Sequence, residues 1–245
     1  MPVSYNPYLV IVSAFIAVFS SYAALTLASK VTTSRSTNRK FWLIGGATIM
    51  GTGIWSMHFL AMLAFSLPVT ISYNFLLTIL SLLAAILSSG LALSIVSRPK
   101  VSFSTLVKSA IAMGVGIGLM HYIGMAAMQM MADTDYNPIL FLLSVVLAVV
   151  VSLVALKLSL QYRYRKGSKV PQIISAIVMG TGILALHYTG MAAATFKAAP
   201  EKYVAESGFD NNSMAFFIAS FTYLILGTTM VIATDAEDKH LLRKG

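Results

Sequence analysis

The sequence predicts an all-α, polytopic membrane protein with seven transmembrane helices, arranged as three two-helix repeats plus one. Three observations predict it. Hydrophobic residues make up 58% of the 245 positions, charged residues only 10%, and mean hydropathy is +0.82. Soluble domains average about 45–50% apolar, and a disordered chain would be poorer still. The apolar residues gather into runs long enough for a bilayer core, which takes about 20 residues per helix. Finally, one thirteen-residue pattern recurs three times.

The spans fall at roughly 7–29, 41–66, 73–97, 106–131, 138–161, 172–196 and 213–234. Residues 1–29 contain no Lys or Arg. A secretory signal has a basic start and a shorter apolar core, so 7–29 is expected to be a retained first span. Strands are not expected, because the runs are long and lack the alternation of a membrane barrel. Residues 1–245 then form one integral-membrane domain, with repeats at 7–66, 73–131 and 138–196, a seventh helix at 213–234 and a tail at 235–245.

The basic residues orient the chain. Lys30, Arg35, Arg39 and Lys40 follow the first span, and Arg98, Lys100 and Lys108 lie around the third loop. Lys157, Arg163, Arg165, Lys166 and Lys169 surround the fifth, and Lys239, Arg243 and Lys244 lie in the tail. Fifteen of the 17 basic residues thus share one side, and only Lys197 and Lys202 fall on the other. The positive-inside rule puts the N-terminus outside and the C-terminus in the cytoplasm. The net charge of +9 is therefore read as a cytoplasmic rim on a lipid bilayer, with no nucleic-acid partner.

The repeat is Met50–Met62, Met113–Met125 and Met179–Met191, with the shared pattern M-G-x-G-I-x-x-[ML]-H-[FY]-x-[AG]-M. The histidines are 63 and 66 residues apart, or two spans per repeat, so helices 2, 4 and 6 run in the same direction. His58, His121 and His187 should then sit at one depth, toward the outside. The motif helices are rich in glycine, which lets backbones approach closely in lipid. They are expected to form an inner ring with the other helices outside, bringing the histidines toward one axis.

Chemistry narrows from there. His and Met at i and i+4 share a helix face, which pairs His58 with Met62, His121 with Met125 and His187 with Met191. Imidazole suits Cu, Zn, Fe and Ni, and thioether favours Cu(I). No Asp or Glu lies well inside a span, which argues against Mg²⁺ and Ca²⁺. Copper is the expected ion, with an open position for O₂, CO or NO. Tyr122 and Tyr188 could hydrogen-bond an imidazole or a bound ligand, which Phe59 at the matching place cannot. Met57 and Met120 point about 100° away from the histidines and read as packing or support; Met50, Met113 and Met179, two turns deeper, read as packing that could also extend a track of soft ligands. The chain has no cysteine, and hence no disulfide, thiolate zinc, iron–sulfur cluster or cysteine nucleophile. The seventh span has no Lys for a retinal Schiff base. Without thiols, buried acids or a Ser/His/Asp grouping, an enzyme is not expected. The Gly51-Thr52-Gly53 group lies in an apolar helix and reads as packing rather than a phosphate loop.

At these residues the chain resembles the MHYT domain, a bacterial integral-membrane sensor module named for a Met-His-Tyr-Thr motif in alternate helices. The resemblance covers residues 5–235 and includes the number of spans. It implies a multi-pass protein of the bacterial cytoplasmic membrane that binds copper through Met and His and senses a diatomic gas. His58, His121 and His187 match the motif histidine; Met62, Met125 and Met191 match the following Met; Met57 and Met120 match the leading Met. The third copy has Leu186 for that Met and the first has Phe59 for the Tyr, so neither role is threefold. Many members carry cyclic-di-GMP-metabolising domains or histidine kinases. Here about ten residues follow the last span, so the expectation is a separate cytoplasmic signalling partner. Two other readings stay open: a haem-binding electron carrier with axial histidines, and a copper transporter using stacked Met and His.

Overall fold

The computed structural model describes residues 1–33, 36–162, 169–199, 201, 208–223 and 227. Six helices carry the fold: α1 (Pro7–Thr33), α2 (Ser36–Ala64), α3 (Phe75–Val96), α4 (Phe103–Ala126), α5 (Pro138–Tyr162) and α6 (Lys169–Ala193). All six are long and apolar enough to cross a membrane. Residues 211–223 are helical as well. The rest of the expected seventh span apart from Gly227, the tail, and Arg35, Arg163, Arg165, Lys166 and Lys202 lie outside the described residues.

Each helix packs on its neighbours in chain order, and α6 returns onto α1, closing a ring. Glycine makes the closure possible. A Cβ on Gly51 would come within 2.5 Å of the Ile86 backbone, on Gly114 within 2.6 Å of Val149, and on Gly180 within 2.8 Å of Val18. The same motif glycine therefore seats each even helix against the first helix of the next repeat, the third against the first. This differs from an inner triangle inside an outer shell. The even helices meet at the histidines, but deeper in the bundle Ser20, Ser21 and Ala24 of α1 and Val151, Ser152 and Ala155 of α5 also line the axis. Helices whose backbones touch at glycine cannot sort into two shells.

The loops at the histidine end also differ from expectation, because they pair as strands. β1 (Ser4–Tyr5) pairs with β2 (Phe65–Ser66), and β3 (Ser72–Tyr73) lies between β4 (Met128–Gln129) and β7 (Phe209–Asp210). β5 (Ala132–Tyr136) pairs with β6 (Ala194–Ala198). The registers repeat: Tyr5 faces Phe65, Tyr73 faces Met128 and Tyr136 faces Ala194. Each of those partners is seven residues beyond a motif histidine.

An asparagine follows each of these tyrosines and starts an odd helix. The N–H groups of Asn6, Asn74 and Asn137 donate to the carbonyls of Ala64, Ala127 and Ala193, each at 2.8 Å. Their side-chain oxygens accept from the first turns, Asn74 from Leu77 N at 3.0 Å. A side-chain acceptor at this position satisfies an N–H that the helix leaves open, and Pro7 and Pro138 suit the first helical place. Asn74→Ala should therefore cost about 1 kcal/mol, read as a lowered Tm of the detergent-solubilised chain. An unchanged Tm would mean that solvent or lipid headgroups replace the cap.

Candidate metal centre

His58, His121 and His187 lie five or six residues before the ends of α2, α4 and α6. Each is only 1% exposed. The ring puts them edge to edge, with centroids 4.9, 5.0 and 5.3 Å apart. His58 Nδ1 lies 3.0 Å from His187 Nδ1 and 3.2 Å from His121 Nδ1. The outward-facing Nε2 atoms of all three are buried and have no hydrogen-bond partner.

That arrangement is expensive without a guest. Among three neutral imidazoles sharing one point, at most one Nδ1 proton can serve each contact. The unpartnered Nε2 groups add about 1–3 kcal/mol each, a cost that a guest at the Nδ1 atoms would leave in place. Three nitrogens at about 2.0–2.1 Å from one ion, at tetrahedral angles, would stand about 3.3 Å apart. The two contacts of His58, at 3.0 and 3.2 Å, are close to that, and all three donor atoms lie within 4.8 Å of one another. The three buried histidines could therefore hold a metal ion. With no Asp or Glu in the six described helices, a bound divalent ion would keep two uncompensated charges in the membrane, and a monovalent ion one.

The rings are held by a collar of aromatics. Phe59, Tyr122 and Tyr188 each pack edge-on against the histidine before them, at 5.0, 4.8 and 4.9 Å. Tyr73 packs on Phe59, Tyr136 on Tyr122 and Tyr5 on Tyr188. Each tyrosine of the strands thus pairs by backbone within its own repeat and by ring with the previous one. Burial pushes the Tyr5, Tyr73 and Tyr136 hydroxyls above the ordinary phenol value, so these three stay uncharged. Tyr122 shares a 2.6 Å hydrogen bond with Ser144, and Ser13 lies beside the Tyr188 hydroxyl. Phe59 has no hydroxyl, and the matching Ser81 donates instead to the Met120 carbonyl at 2.8 Å.

The methionines divide by level. Met57 and Met120, with Leu186 in the third place, line a cavity of about 10 Å³ beside the three histidines. Met62, Met125 and Met191 are buried one turn nearer the strands and do not line that cavity. Two glycines set the ring positions: a Cβ on Gly124 would overlap His58 Nε2, and one on Gly190 would overlap His121 Nε2.

Sequence reasoning did not pick out the strand tyrosines or their serines. The signal was present as Tyr5-Asn6, Tyr73-Asn74 and Tyr136-Asn137, with Ser13, Ser81 and Ser144 eight residues after each tyrosine.

A family model described as "Bacterial signalling protein N terminal repeat", MHYT, matches residues 1–39, 51–108, 114–169 and 180–234. The chain is 42% identical over 233 residues to the bifunctional diguanylate cyclase/cyclic di-GMP phosphodiesterase MucR of Pseudomonas aeruginosa. That match covers 94% of this chain and 34% of MucR. It is 36% identical over 245 residues to the signalling protein YkoW of Bacillus subtilis, covering 98% of this chain and 30% of YkoW. It is 38% identical over 198 residues to the cyclic di-GMP phosphodiesterase NbdA of P. aeruginosa, covering 78% of this chain and 24% of NbdA. The matches thus span between 24% and 34% of the length of these relatives. No solved structure matches it.

Proposed function

Because the chain belongs to the MHYT family of bacterial signalling proteins, we propose that it is a membrane-embedded sensor module whose three buried histidines hold copper. The observation that carries this is the convergence of three Nδ1 atoms in a buried site without carboxylates. His58, His121 and His187 are the ligands. Met62, Met125 and Met191 are soft donors from the outer side, and Met57 and Met120 support from the inner. Copper would supply a redox-active centre able to take O₂, CO or NO. Tyr122 and Tyr188 act on it through the imidazoles they pack against.

The absence of a compensating carboxylate favours Cu(I), which carries the smaller charge into the membrane. The haem reading is weaker, since imidazole nitrogens 3.0 Å apart leave no slot for a porphyrin. The histidine end faces out of the bacterial cytoplasmic membrane, in keeping with the basic residues gathered on the opposite loops. The signal passes to a cytoplasmic partner, and cyclic di-GMP turnover is the class of output named for MucR and NbdA.

The test is the metal content of detergent-purified chain beside the His58→Ala/His121→Ala/His187→Ala variant. Near-stoichiometric copper, with its nitrogen ligands absent from the X-ray absorption spectrum of the variant, supports the reading. A spectrum without nitrogen ligands in the unaltered chain, after copper loading, would overturn it.

A further inference from the structure

We propose that Met50, Met113 and Met179 form a second, sulfur-donor site for a soft monovalent cation, Cu(I) or Ag(I), deeper on the bundle axis than the histidines. Each lies eight residues before its histidine, or about 12 Å along the helix. All three are buried, and all three line one cavity of about 20 Å³. Ile117 and Ile183 line both this cavity and the one at the histidines, so the two are stacked on one axis.

Ordinary packing explains this poorly. Methionine is the side chain best able to fill an irregular gap, yet three of them surround a space that stays open. Ser20 and Ser152, whose hydroxyls are buried without a hydrogen-bond partner, are among the residues around this cavity. Ser21 beside them does what a membrane serine usually does, donating to the Ala17 carbonyl at 2.8 Å. A polar atom left unpaired in this setting calls for a partner, and a polar or charged guest would supply one. The lining holds no histidine, carboxylate or cation, which leaves thioether sulfur as the strong donor. That donor set selects Cu(I) and Ag(I) over Zn²⁺, Mg²⁺ and Ca²⁺. A monovalent ion also brings the least charge into a low-dielectric interior. The position is Met in all three copies, unlike the leading Met beside the histidines, which Leu186 replaces in the third. The site does not depend on what the histidines bind.

The experiment titrates the detergent-purified His58→Ala/His121→Ala/His187→Ala chain with Ag(I), and anaerobically with Cu(I). One equivalent should remain bound, with sulfur and no nitrogen neighbours in X-ray absorption. Adding Met50→Leu, Met113→Leu and Met179→Leu, changes of nearly constant volume, should weaken that binding at least 100-fold. No binding to the histidine-free chain would overturn the proposal. So would binding that survives the three leucines and is lost instead with Met62→Leu/Met125→Leu/Met191→Leu. If the histidine-free chain does not fold, the three leucines are placed in the unaltered chain. A fall from two equivalents to one, with nitrogen ligation kept, supports the site, and an unchanged stoichiometry refutes it. A wild-type chain that binds one equivalent through sulfur alone would leave this site standing and remove the histidine reading.

Discussion

Replacing His58 alone with alanine should lower copper affinity at least about 100-fold, and by more than the same change at His121 or His187. Disturbing a ligand's supporting shell already costs about 10–100-fold, and loss of a ligand should cost more. The ranking follows from the asymmetry of the triad. Both short nitrogen–nitrogen contacts, 3.0 Å to His187 and 3.2 Å to His121, run through His58. Without His58, the two remaining rings lose the neighbour that each touches, while their Nε2 atoms stay buried and unpaired. Loss of His121 or His187 leaves one close pair intact. Competition against a chromophoric Cu(I) chelator gives the three affinities, and circular dichroism checks that the helices persist. Equal losses at all three positions would mean that the bound centre is symmetric and that His58 is not its hub.

Gly124→Ala should weaken copper binding about 10–100-fold although every ligand remains in the chain. The added methyl would overlap His58 Nε2. The ring has little room to retreat, because Phe59, His121 and His187 pack around it at centroid distances of 5.0, 4.9 and 5.0 Å. Gly118→Ala on the same helix supplies the contrast. A Cβ there meets nothing within 4 Å. It should leave binding unchanged and stabilise α4 by about 0.5–1 kcal/mol through helix propensity. If Gly124→Ala binds copper as the unaltered chain does, the imidazole is free to shift and the glycine serves only helix packing. The small residue of the motif, immediately before its last Met, would then have no part in the site.

Much of the molecule was legible in its residues. Long apolar runs specify membrane helices because the bilayer offers the backbone no other hydrogen-bond partners. A pattern recurring every two spans puts three histidines at one level whatever the detailed packing, since alternate helices must run the same way. The composition of the site, imidazole and thioether without carboxylate, follows directly from that register.

The collar was not legible in the same way. Strands of two to five residues carry no periodic signal. The Tyr-Asn pairs fall at span edges, where a polar residue reads simply as loop. Their meaning appears only when Asn74 N–H reaches the Ala127 carbonyl and Tyr73 reaches the ring of Phe59.

By itself the sequence determined the helical membrane architecture, the threefold repeat, the membership of a signalling family and the identity of the three histidines. These are properties of period and composition, which a chain carries before it folds. Only the tertiary structure decided that six helices close as one ring and that Nδ1 rather than Nε2 faces the centre. It also put the leading methionines, rather than the following ones, beside the cavity at the histidines, and turned the Tyr122 hydroxyl onto Ser144 of the neighbouring helix. Those outcomes depend on which way a side chain points and how near a neighbouring backbone can come. Glycine contacts between distant helices set both, and no spacing along the chain encodes them.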